Sequence, residues 1–542
     1  MAVGCERSLS PRPRATAAVV LLAAVALLAS CSLSPIGPGR PSSTPTPATG
    51  STPATPTTGT TPAAGRPVQS PPPVRPNGFA DPPPGKGLDR YRGQKIKWSA
   101  CGGDKDDPLQ CASVLVPLDY KKPDDTAITL HLARRPAKIK PRLGSLFINP
   151  GGPGASGVDY LGYFDRTGLD AYDIVGWDPR GVARSTPVTC FDGDEMDAYT
   201  EMDISPDSPQ EDRALQQANR EFGESCLERS GALLQHVSTE ETVRDLDVLR
   251  HLVGDRKLNY FGASYGTEIG AYYAHFFPGR TGRLVLDGAV SLSPDDEVSQ
   301  AQGFERALTD FADWCVAEAE CRLGDSTQTV LKAITDLWDR LDANPLEVGH
   351  RVLTQTLGVT AVIQALYGDE ETWRLMAQAL SLAIDEKNGQ GLLYFADQYN
   401  VRDDQGRYGQ LNYGFAAVRC LDNEDAGIEG EREEAAEDAR MAPVIGPYIG
   451  LDYTCPLWPV KARKRPAKIT GKGLPPVIVI GNTGDSATPY EYAVKMAEQL
   501  ESGVLITYRG HGHLSYRRSA CVRGLVIDYL TEDKVPRNNT KC

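Results

Sequence analysis

The stretch LNYFGASYGTEIGAYYAHFFP, residues 258–278, places a serine between two glycines where two differently patterned segments meet. A short apolar run precedes the serine and favours a buried strand, and an amphipathic segment follows it and favours a helix. GASYG (262–266) matches the pattern G-x-S-x-G in the strand–turn–helix context that this motif requires. The serine of such a turn has a strained backbone, and the glycines avoid clashes with the adjoining strand and helix. The stretch therefore predicts a nucleophile elbow, with Ser264 at its tip and the N–H of Tyr265 directed at an oxyanion.

A serine hydroxyl becomes a good nucleophile only when a base removes its proton, so the histidines after Ser264 are candidates. In hydrolases with this elbow the chain order is serine, acid, histidine. His275 lies about three turns along the helix that follows the elbow, and His350 lies in a helical region. Only His511 and His513, in the sequence GHGH, follow a late strand-like run. We favour His513, because its glycine neighbours would let the imidazole reach over the serine, and His511 is the alternative base.

The acid of such a triad is expected at the end of the strand that precedes the histidine. Asp485 follows the apolar run VIVIGNTG (477–484) and precedes SATPYEYAVKMAEQL (486–500), which has the pattern of a helix start. A carboxylate there would hold the imidazole in the required tautomer and stabilise the imidazolium. Asp287, at the end of RLVLD (283–287), is the alternative acid.

The remaining apolar runs predict the fold. Continuous runs of this kind suit a parallel sheet that is covered on both faces. A glycine-rich loop, NPGGPGASG (149–157), follows one of them at the place where this layout needs the second half of an oxyanion hole. The expected fold class is α/β, with a mostly parallel, doubly wound sheet. The runs that read as strands lie at 144–150, 171–181, 258–264, 282–288, 475–485 and 503–513.

A long helical stretch separates the fourth of these runs from the fifth. It has apolar residues at helical spacing and no strand-like run of comparable strength. We interpret residues 292–440 as a helical cap inserted into an α/β core, whose two parts are residues 89–291 and 441–542.

The N-terminus has the pattern of an export signal. Three arginines precede an apolar run at 17–28, which is too short to remain as a membrane-spanning helix. The sequence LASC, ending at Cys31, resembles a bacterial lipobox, so residues 1–30 are expected to be a lipoprotein signal peptide and Cys31 to be acylated. Residues 31–88 are rich in Pro, Ser, Thr and Gly and are expected to be a disordered linker. The expected location is the outer face of the cell membrane, with secretion as the alternative.

The cysteine content agrees with an exported protein, and the charge argues against nucleic-acid binding. The formal charge of the 542 residues is −14, with no basic stripe of the kind that nucleic-acid binding requires. No metal-ligand spacing of cysteines or histidines is present, and ten cysteines beyond Cys31 form sequence-local pairs that suit disulfides in an oxidising compartment. The candidate pairs, chosen by proximity alone, are Cys101 with Cys111, Cys190 with Cys226, Cys315 with Cys321, Cys420 with Cys455, and Cys521 with Cys542.

With these residues identified, the chain resembles the α/β-hydrolases of the prolyl iminopeptidase and tripeptidyl aminopeptidase group, in particular the exported proteins of actinobacteria. The resemblance covers roughly residues 95–525. It implies that Ser264 is the nucleophile, Asp485 the acid and His513 the base, and that Gly152 supplies the second oxyanion N–H beside Tyr265. The segments that carry it are NPGGPGASG, YDIVGWDPRGVARSTP, YFGASYGTEIGAYYAHFFPGRTGRLVLDG, CPLWP, GDSATPYEYA and GHGH.

The resemblance also implies an activity. Such proteins release single residues or short peptides from free N-termini, with neither a metal nor an organic cofactor, and acidic residues of the cap bind the substrate's α-ammonium group. Pro150 stands where single-residue iminopeptidases have a histidine, which favours the tripeptidyl type. The candidates for the ammonium site are Glu370, Glu371, Asp422 and Glu424.

Two other functions fit parts of the sequence. The same triad would serve an esterase or lipase that acts on envelope or xenobiotic esters. A catalytically idle lipoprotein that binds peptides is the alternative from a different class, and the complete set of triad residues argues against it.

Overall fold

The computed structural model describes residues 78–105, 107–293, 298–466 and 468–542. The predicted signal peptide, Cys31 and most of the predicted linker lie outside these residues. Residues 78–88, at the end of the predicted linker, belong to the folded domain: the strand Phe79–Ala80 pairs with a strand of the main sheet.

The described residues form thirteen strands, and all six apolar runs that predicted strands contain one. The strands are β1 (Phe79–Ala80), β2 (Ser99–Asp104), β3 (Asp107–Pro117), β4 (Ala127–Arg135), β5 (Gly144–Asn149), β6 (Tyr172–Trp177), β7 (Leu258–Ala263), β8 (Thr281–Asp287), β9 (Leu346–Val348), β10 (Arg351–Leu353), β11 (Val477–Gly484), β12 (Gly503–His511) and β13 (Thr540–Lys541).

Eleven of the strands form one sheet in the order β13-β12-β11-β8-β7-β5-β6-β4-β3-β2, with β1 paired to β4. Along this order, all neighbouring strands from β13 to β6 are parallel. The pairs β6–β4, β4–β3 and β3–β2 are antiparallel. The carboxyl ends of the parallel strands therefore share one edge, where ligands of α/β sheets bind.

Sixteen α-helices complete the described elements, together with two 3-10 helices, Gly231–Gln235 and Pro278–Arg280. In the described part of the chain, none of the helices has both the length and the apolar character that crossing a bilayer requires. The helices are α1 (Asp89–Arg92), α2 (Gly157–Tyr160), α3 (Gly193–Thr200), α4 (Pro209–Ser230), α5 (Thr239–Leu252), α6 (Tyr265–Phe276), α7 (Gln300–Ala317), α8 (Thr327–Ala343), α9 (Gln355–Leu366), α10 (Glu370–Asp385), α11 (Gln390–Asn400), α12 (Leu411–Asp422), α13 (Gly427–Met441), α14 (Gly446–Ile449), α15 (Tyr490–Gln499) and α16 (Ala520–Glu532).

The sheet is buried on both faces. Along β11, Val477 and Val479 join one apolar cluster, and Ile478 and Ile480 join another. Because successive side chains of a strand point to opposite faces, the two clusters lie on the two sides of the sheet. The continuous apolar runs of the sequence thus correspond to a doubly covered, mostly parallel sheet.

The region predicted as a helical insertion contains α7 to α13. Helices α7 to α11 share an apolar core of their own, which includes Trp338 and Trp373, whereas α12 packs into the cluster on one face of the sheet. The region also contains the hairpin of β9 and β10, which the sequence did not predict. We call the part of the chain from α7 to α14 the cap.

The described residues contain five disulfides. Each one joins two of the cysteines that the sequence pairs by proximity: Cys101–Cys111, Cys190–Cys226, Cys315–Cys321, Cys420–Cys455 and Cys521–Cys542.

Candidate active site

Ser264 occupies a strained turn between β7 and α6. Its φ is 56° and its ψ is −129°, a backbone conformation that residues other than glycine rarely adopt. Its N–H donates to the carbonyl of Asp287 over 2.9 Å. The two flanking positions have no room for a side chain. A Cβ on Gly262 would lie 2.2 Å from the carbonyl oxygen of Gly266, and a Cβ on Gly266 would lie 2.8 Å from the carbonyl oxygen of Asn149. The turn therefore has the geometry of a nucleophile elbow.

The glycine-rich loop after β5 lies directly against this elbow. A Cβ on Gly151 would come within 2.9 Å of both the Ser264 Cβ and the Tyr265 nitrogen. Gly151 and Gly152 have φ values of 96° and 106°, which favour glycine. Tyr265 is the first residue of α6, and amides of a first helical turn have no intrahelical acceptor. The loop of Gly151 and Gly152 thus lies beside the Tyr265 amide, and the Gly152 N–H as the second oxyanion donor stays a prediction.

Asp485 and His513 form a buried pair at the ends of β11 and β12. The His513 Nδ1 lies 2.9 Å and 3.0 Å from the two carboxylate oxygens of Asp485. The carboxylate also accepts the backbone N–H groups of Ala487 and Thr488 over 3.0 Å and 2.8 Å. The His513 Nε2 is buried and has no hydrogen-bond partner among the described residues. The ring is therefore oriented through Nδ1, which leaves Nε2 for a proton from a nucleophile.

Residues at the end of β8 link the serine to the histidine. Asp287 accepts the Ser264 amide through its carbonyl, and a Cβ on the next residue, Gly288, would lie 3.2 Å from the His513 Cε1. The Asp287 carboxylate accepts the amides of Ser515 and Tyr516 over 3.1 Å and 2.9 Å. Its burial raises its pKa to about 6. Asp287, the alternative acid, thus supports the chain after His513, and its hydrogen bonds go to backbone amides.

His511 faces the cap. Its Nδ1 lies 3.6 Å from Asp310 of α7, its Nε2 lies 3.9 Å from Glu370 of α10, and its ring centroid is 4.9 Å from that of Trp373. The nearby carboxylates, that of Asp310 above all, raise the pKa of His511. His511, the alternative base, therefore lies beside two carboxylates of the cap, whereas His513 is hydrogen-bonded to Asp485.

The two other candidate histidines lie elsewhere. His275 contacts the backbone of Thr470, with its Nδ1 3.0 Å from the carbonyl oxygen. His350 is exposed in the turn between β9 and β10.

The cap holds the loop of His513 in place through the segment between α9 and α10. The His513 N–H donates to the Tyr367 carbonyl over 2.9 Å, and the Tyr367 ring meets the imidazole edge-on at 5.3 Å between centroids. Arg518 donates to the carbonyls of His513 and Tyr367 over 2.7 Å and 3.2 Å. Sequence reasoning missed both residues, because no motif marks them and they are 151 positions apart.

We expect Arg518→Met to lower kcat by about 10–100-fold, because displacing a catalytic group by about 1 Å costs that much. KM should change little, since Arg518 holds the backbone behind His513. Steady-state kinetics checks this, with Arg518→Lys expected to recover part of kcat. Arg440→Met is the matched control, because that guanidinium pairs with Glu437 on the exposed helix α13 and has no contact with the chain after His513 among the described residues. An unchanged kcat in Arg518→Met would show that the cap contact does not position His513.

Helix α12 of the cap packs against the glycine-rich loop. A Cβ on Gly154 would lie 2.6 Å from the Leu411 carbonyl oxygen, and one on Gly152 would lie 3.0 Å from the Leu411 Cδ1. Phe415, one turn along the same helix, is 39% exposed. The cap therefore contacts the predicted oxyanion loop through the start of α12, with the Leu411 side chain against Gly152.

The four acidic candidates for the ammonium site lie in different surroundings. Asp422 is buried and accepts the amide and hydroxyl of Thr239 over 2.9 Å and 2.6 Å, and burial raises its pKa to about 6. Glu371 and Glu424 are exposed. Only Glu370 lies beside the loop that carries the two late histidines.

Among the described residues, one group of side chains could hold a metal ion, because its ligand atoms lie within 4.8 Å of one another. The group consists of Asp119, His236 and Glu241. Glu241 already lies 3.7 Å from Arg180 and 3.1 Å from Arg463. Two guanidiniums beside the carboxylate oppose a cation, so the group is an ion-pair network.

The strained serine, the buried acid and the histidine follow one another along the chain in the order typical of serine hydrolases with the α/β-hydrolase fold. A family model described as "TAP-like protein" matches residues 442–542. The chain is 33% identical over 484 residues to serine protease Hip1 of Mycobacterium tuberculosis, covering 83% of this chain and 91% of that protein. It is 32% identical over 470 residues to a tripeptidyl aminopeptidase of Streptomyces lividans, covering 82% of this chain and 86% of that protein. It is 33% identical over 451 residues to carboxylesterase B of M. tuberculosis, covering 80% of this chain and 86% of that protein.

The chain therefore belongs to the tripeptidyl aminopeptidase-like family of α/β-hydrolases. This confirms the predicted fold class and the resemblance that the sequence motifs indicate. The individual roles of Ser264, Asp485, His513, Gly152 and Tyr265 stay predictions that variants have to test.

Proposed function

We propose that the protein is an exported aminopeptidase that releases short peptides, tripeptides in particular, from the free N-termini of peptide substrates. The observation that carries the proposal is the buried Asp485–His513 pair in a chain that is 32% identical to a tripeptidyl aminopeptidase over most of its length. The strained elbow at Ser264 and the adjacent loop at Gly151 support the proposal, because acyl transfer needs a nucleophile and an oxyanion hole beside such a pair.

The proposed mechanism uses these groups in sequence. The His513 Nε2 removes the hydroxyl proton of Ser264 as its oxygen attacks the scissile carbonyl, and Asp485 stabilises the imidazolium that forms. The N–H groups of Gly152 and Tyr265 bind the oxyanion of the tetrahedral intermediate. His513 then protonates the leaving amine, whose release leaves an acyl group on Ser264. Water attacks this ester with His513 as base, which frees the N-terminal peptide and restores the enzyme.

We propose that acidic residues of the cap select substrates with a free α-ammonium group. Asp310 and Glu370 flank His511, which is two residues from His513, and both are partly exposed. Carboxylates at this place would attract a cationic N-terminus close to the catalytic groups, whereas Asp422 is fully engaged with Thr239.

N-acetylation of the substrate is expected to lower kcat/KM by at least about tenfold, because it removes the charge that those carboxylates would pair with. A tripeptide anilide and its acetylated twin, assayed side by side, provide the measurement. Equal rates for the two substrates would contradict exopeptidase action. Cleavage of a peptide library with a free N-terminus, read by mass spectrometry, gives the length released.

Esterase activity is the second candidate, favoured by the relative named carboxylesterase B. The same acyl transfer would cleave an ester, so a short-chain nitrophenyl ester belongs in the same assay. A kcat/KM for the ester far above that for every free-N-terminus peptide would favour this alternative. Absence of labelling by a fluorophosphonate would favour the non-catalytic, peptide-binding alternative.

We also propose that the protein is a lipoprotein held at the outer face of the cell membrane through acylated Cys31, since two acyl chains anchor a protein stably. The lipobox pattern LASC at 28–31 supports this proposal. Mass spectrometry of the N-terminal peptide of the exported protein tests it, because an unmodified N-terminus elsewhere would mean secretion.

A further inference from the structure

A basic cavity lies at the end of the sheet remote from the predicted active site. Its volume is about 350 Å³, and its lining consists of Arg92, Arg250, His251, Arg256 and Arg280. We call it the arginine pocket.

The strand order fixes the position of the arginine pocket. Arg256 lies two residues before β7 and Arg280 lies directly before β8, and these parallel strands begin side by side, with Leu258 paired to Thr281. Ser264 follows the carboxyl end of β7. The arginine pocket and the elbow are therefore separated by the length of the strands, and a ligand in one would not occupy the other.

A single carboxylate at the base of the pocket organises three of the guanidiniums. The Asp247 Oδ1 accepts hydrogen bonds from Arg250 over 2.9 Å and from the Tyr273 hydroxyl over 3.2 Å. The Asp247 Oδ2 contacts Arg280 and lies 3.7 Å from Arg92. The Asp247 side chain is 2% exposed, so this arrangement is part of the packed domain.

The positive charge of the pocket is not balanced. Three of the four guanidiniums share the carboxylate of Asp247, and the fourth, Arg256, forms no salt bridge with any described residue. Asp89, 3.9 Å from Arg92, has a side chain that is 96% exposed and contributes little. This excess stands in a chain whose formal charge is −14.

Complementing a helix dipole does not explain the cluster. Arg250 and His251 occupy the last turn of α5, where cations are favourable. Arg92, Arg256 and Arg280 come from three other segments of the chain and converge on the same cavity. Like charges repel when they are brought together, so an anion in the cavity would stabilise their convergence.

We propose that the arginine pocket binds a phosphate ester. The planar guanidinium donates two parallel hydrogen bonds to phosphate oxygens, and arginine is the residue that most often recognises phosphate in this way. A volume of about 350 Å³ holds a phosphate with a small alcohol attached. The same group occurs as a soluble ester or as the head group of an anionic lipid, and the experiment separates these two sources.

The test uses the exported chain with Cys31→Ser, which lacks the proposed acyl anchor. Calorimetric titration with inorganic phosphate and with glycerol 3-phosphate measures binding of soluble anions. Sedimentation with phosphatidylglycerol vesicles, against phosphatidylcholine vesicles, measures binding of head groups. The pocket variants are Arg256→Gln and Arg92→Gln, which leave the contacts of Arg250 and Arg280 with Asp247 intact.

The matched control is Arg306→Gln, because Arg306 is a half-exposed arginine of α7 paired with Glu491 at 2.7 Å. We expect each pocket variant to weaken binding by about tenfold or more, the control to bind like the parent, and peptide turnover to be unchanged in all three. Binding of the soluble esters assigns a soluble ligand, and binding of anionic vesicles alone assigns a lipid head group. Absence of binding in both arms, or binding that the pocket variants retain, overturns the proposal.

Discussion

Ser264→Ala is expected to abolish hydrolysis of both peptide and ester substrates, with a loss of about 10⁵–10⁶-fold in kcat. The hydroxyl is the proposed nucleophile, and no acyl-enzyme forms without it. The fold should remain, because Ser264 contributes to the elbow through its backbone, which donates to the carbonyl of Asp287 and accepts from Thr267. Alanine has the same Cβ as serine, so the strain of the positive φ is unchanged.

The measurement pairs turnover with labelling by a fluorophosphonate probe and with thermal unfolding. Ser113→Ala is the matched control, since this serine is exposed on β3, far along the sheet order from β7. Loss of labelling only in Ser264→Ala, with an unchanged melting temperature, would establish the nucleophile. Wild-type turnover in Ser264→Ala would show that the reaction uses another residue.

Much of the sheet was predictable, because its central strands are buried on both faces. The residues of β5 and of β6 are all buried, and each strand appears in the sequence as an apolar run. The antiparallel strands β3 and β4 were not predicted, since β3 alternates between buried and accessible residues and carries a weaker signal. The strands β9 and β10 have three residues each, too few for a periodic pattern.

The candidate site was predictable where one local motif carries it and ambiguous where two residues share a motif. GASYG places Ser264 without help from the rest of the chain. His511 and His513 belong to one four-residue sequence, and only the partners contributed by the cap and by β11 distinguish them. The contact of Tyr367 with His513 joins segments 146 positions apart, by counting along the sequence, and no local pattern encodes it.

Asp485→Asn is expected to lower kcat by about 10³–10⁴-fold, the loss typical of removing the charge behind a catalytic imidazole. Asp485 accepts the Nδ1–H of His513 and fixes the tautomer that leaves Nε2 free. An amide in its place can donate to Nδ1 and thereby favour the wrong tautomer. Folding should be little affected, because the asparagine oxygen still accepts from the amides of Ala487 and Thr488.

Asp287→Asn is the informative comparison, because Asp287 is the other buried acid beside the site. Its carboxylate supports the amides of Ser515 and Tyr516, so the substitution should lower the melting temperature and reduce kcat far less than Asp485→Asn does. Measuring kcat and thermal unfolding for both variants separates the two roles. If Asp287→Asn lost turnover at full stability while Asp485→Asn stayed active, the acid of the triad would be Asp287. A carboxylate that binds backbone amides would then have to reach the imidazole during turnover, which requires the chain after His513 to move.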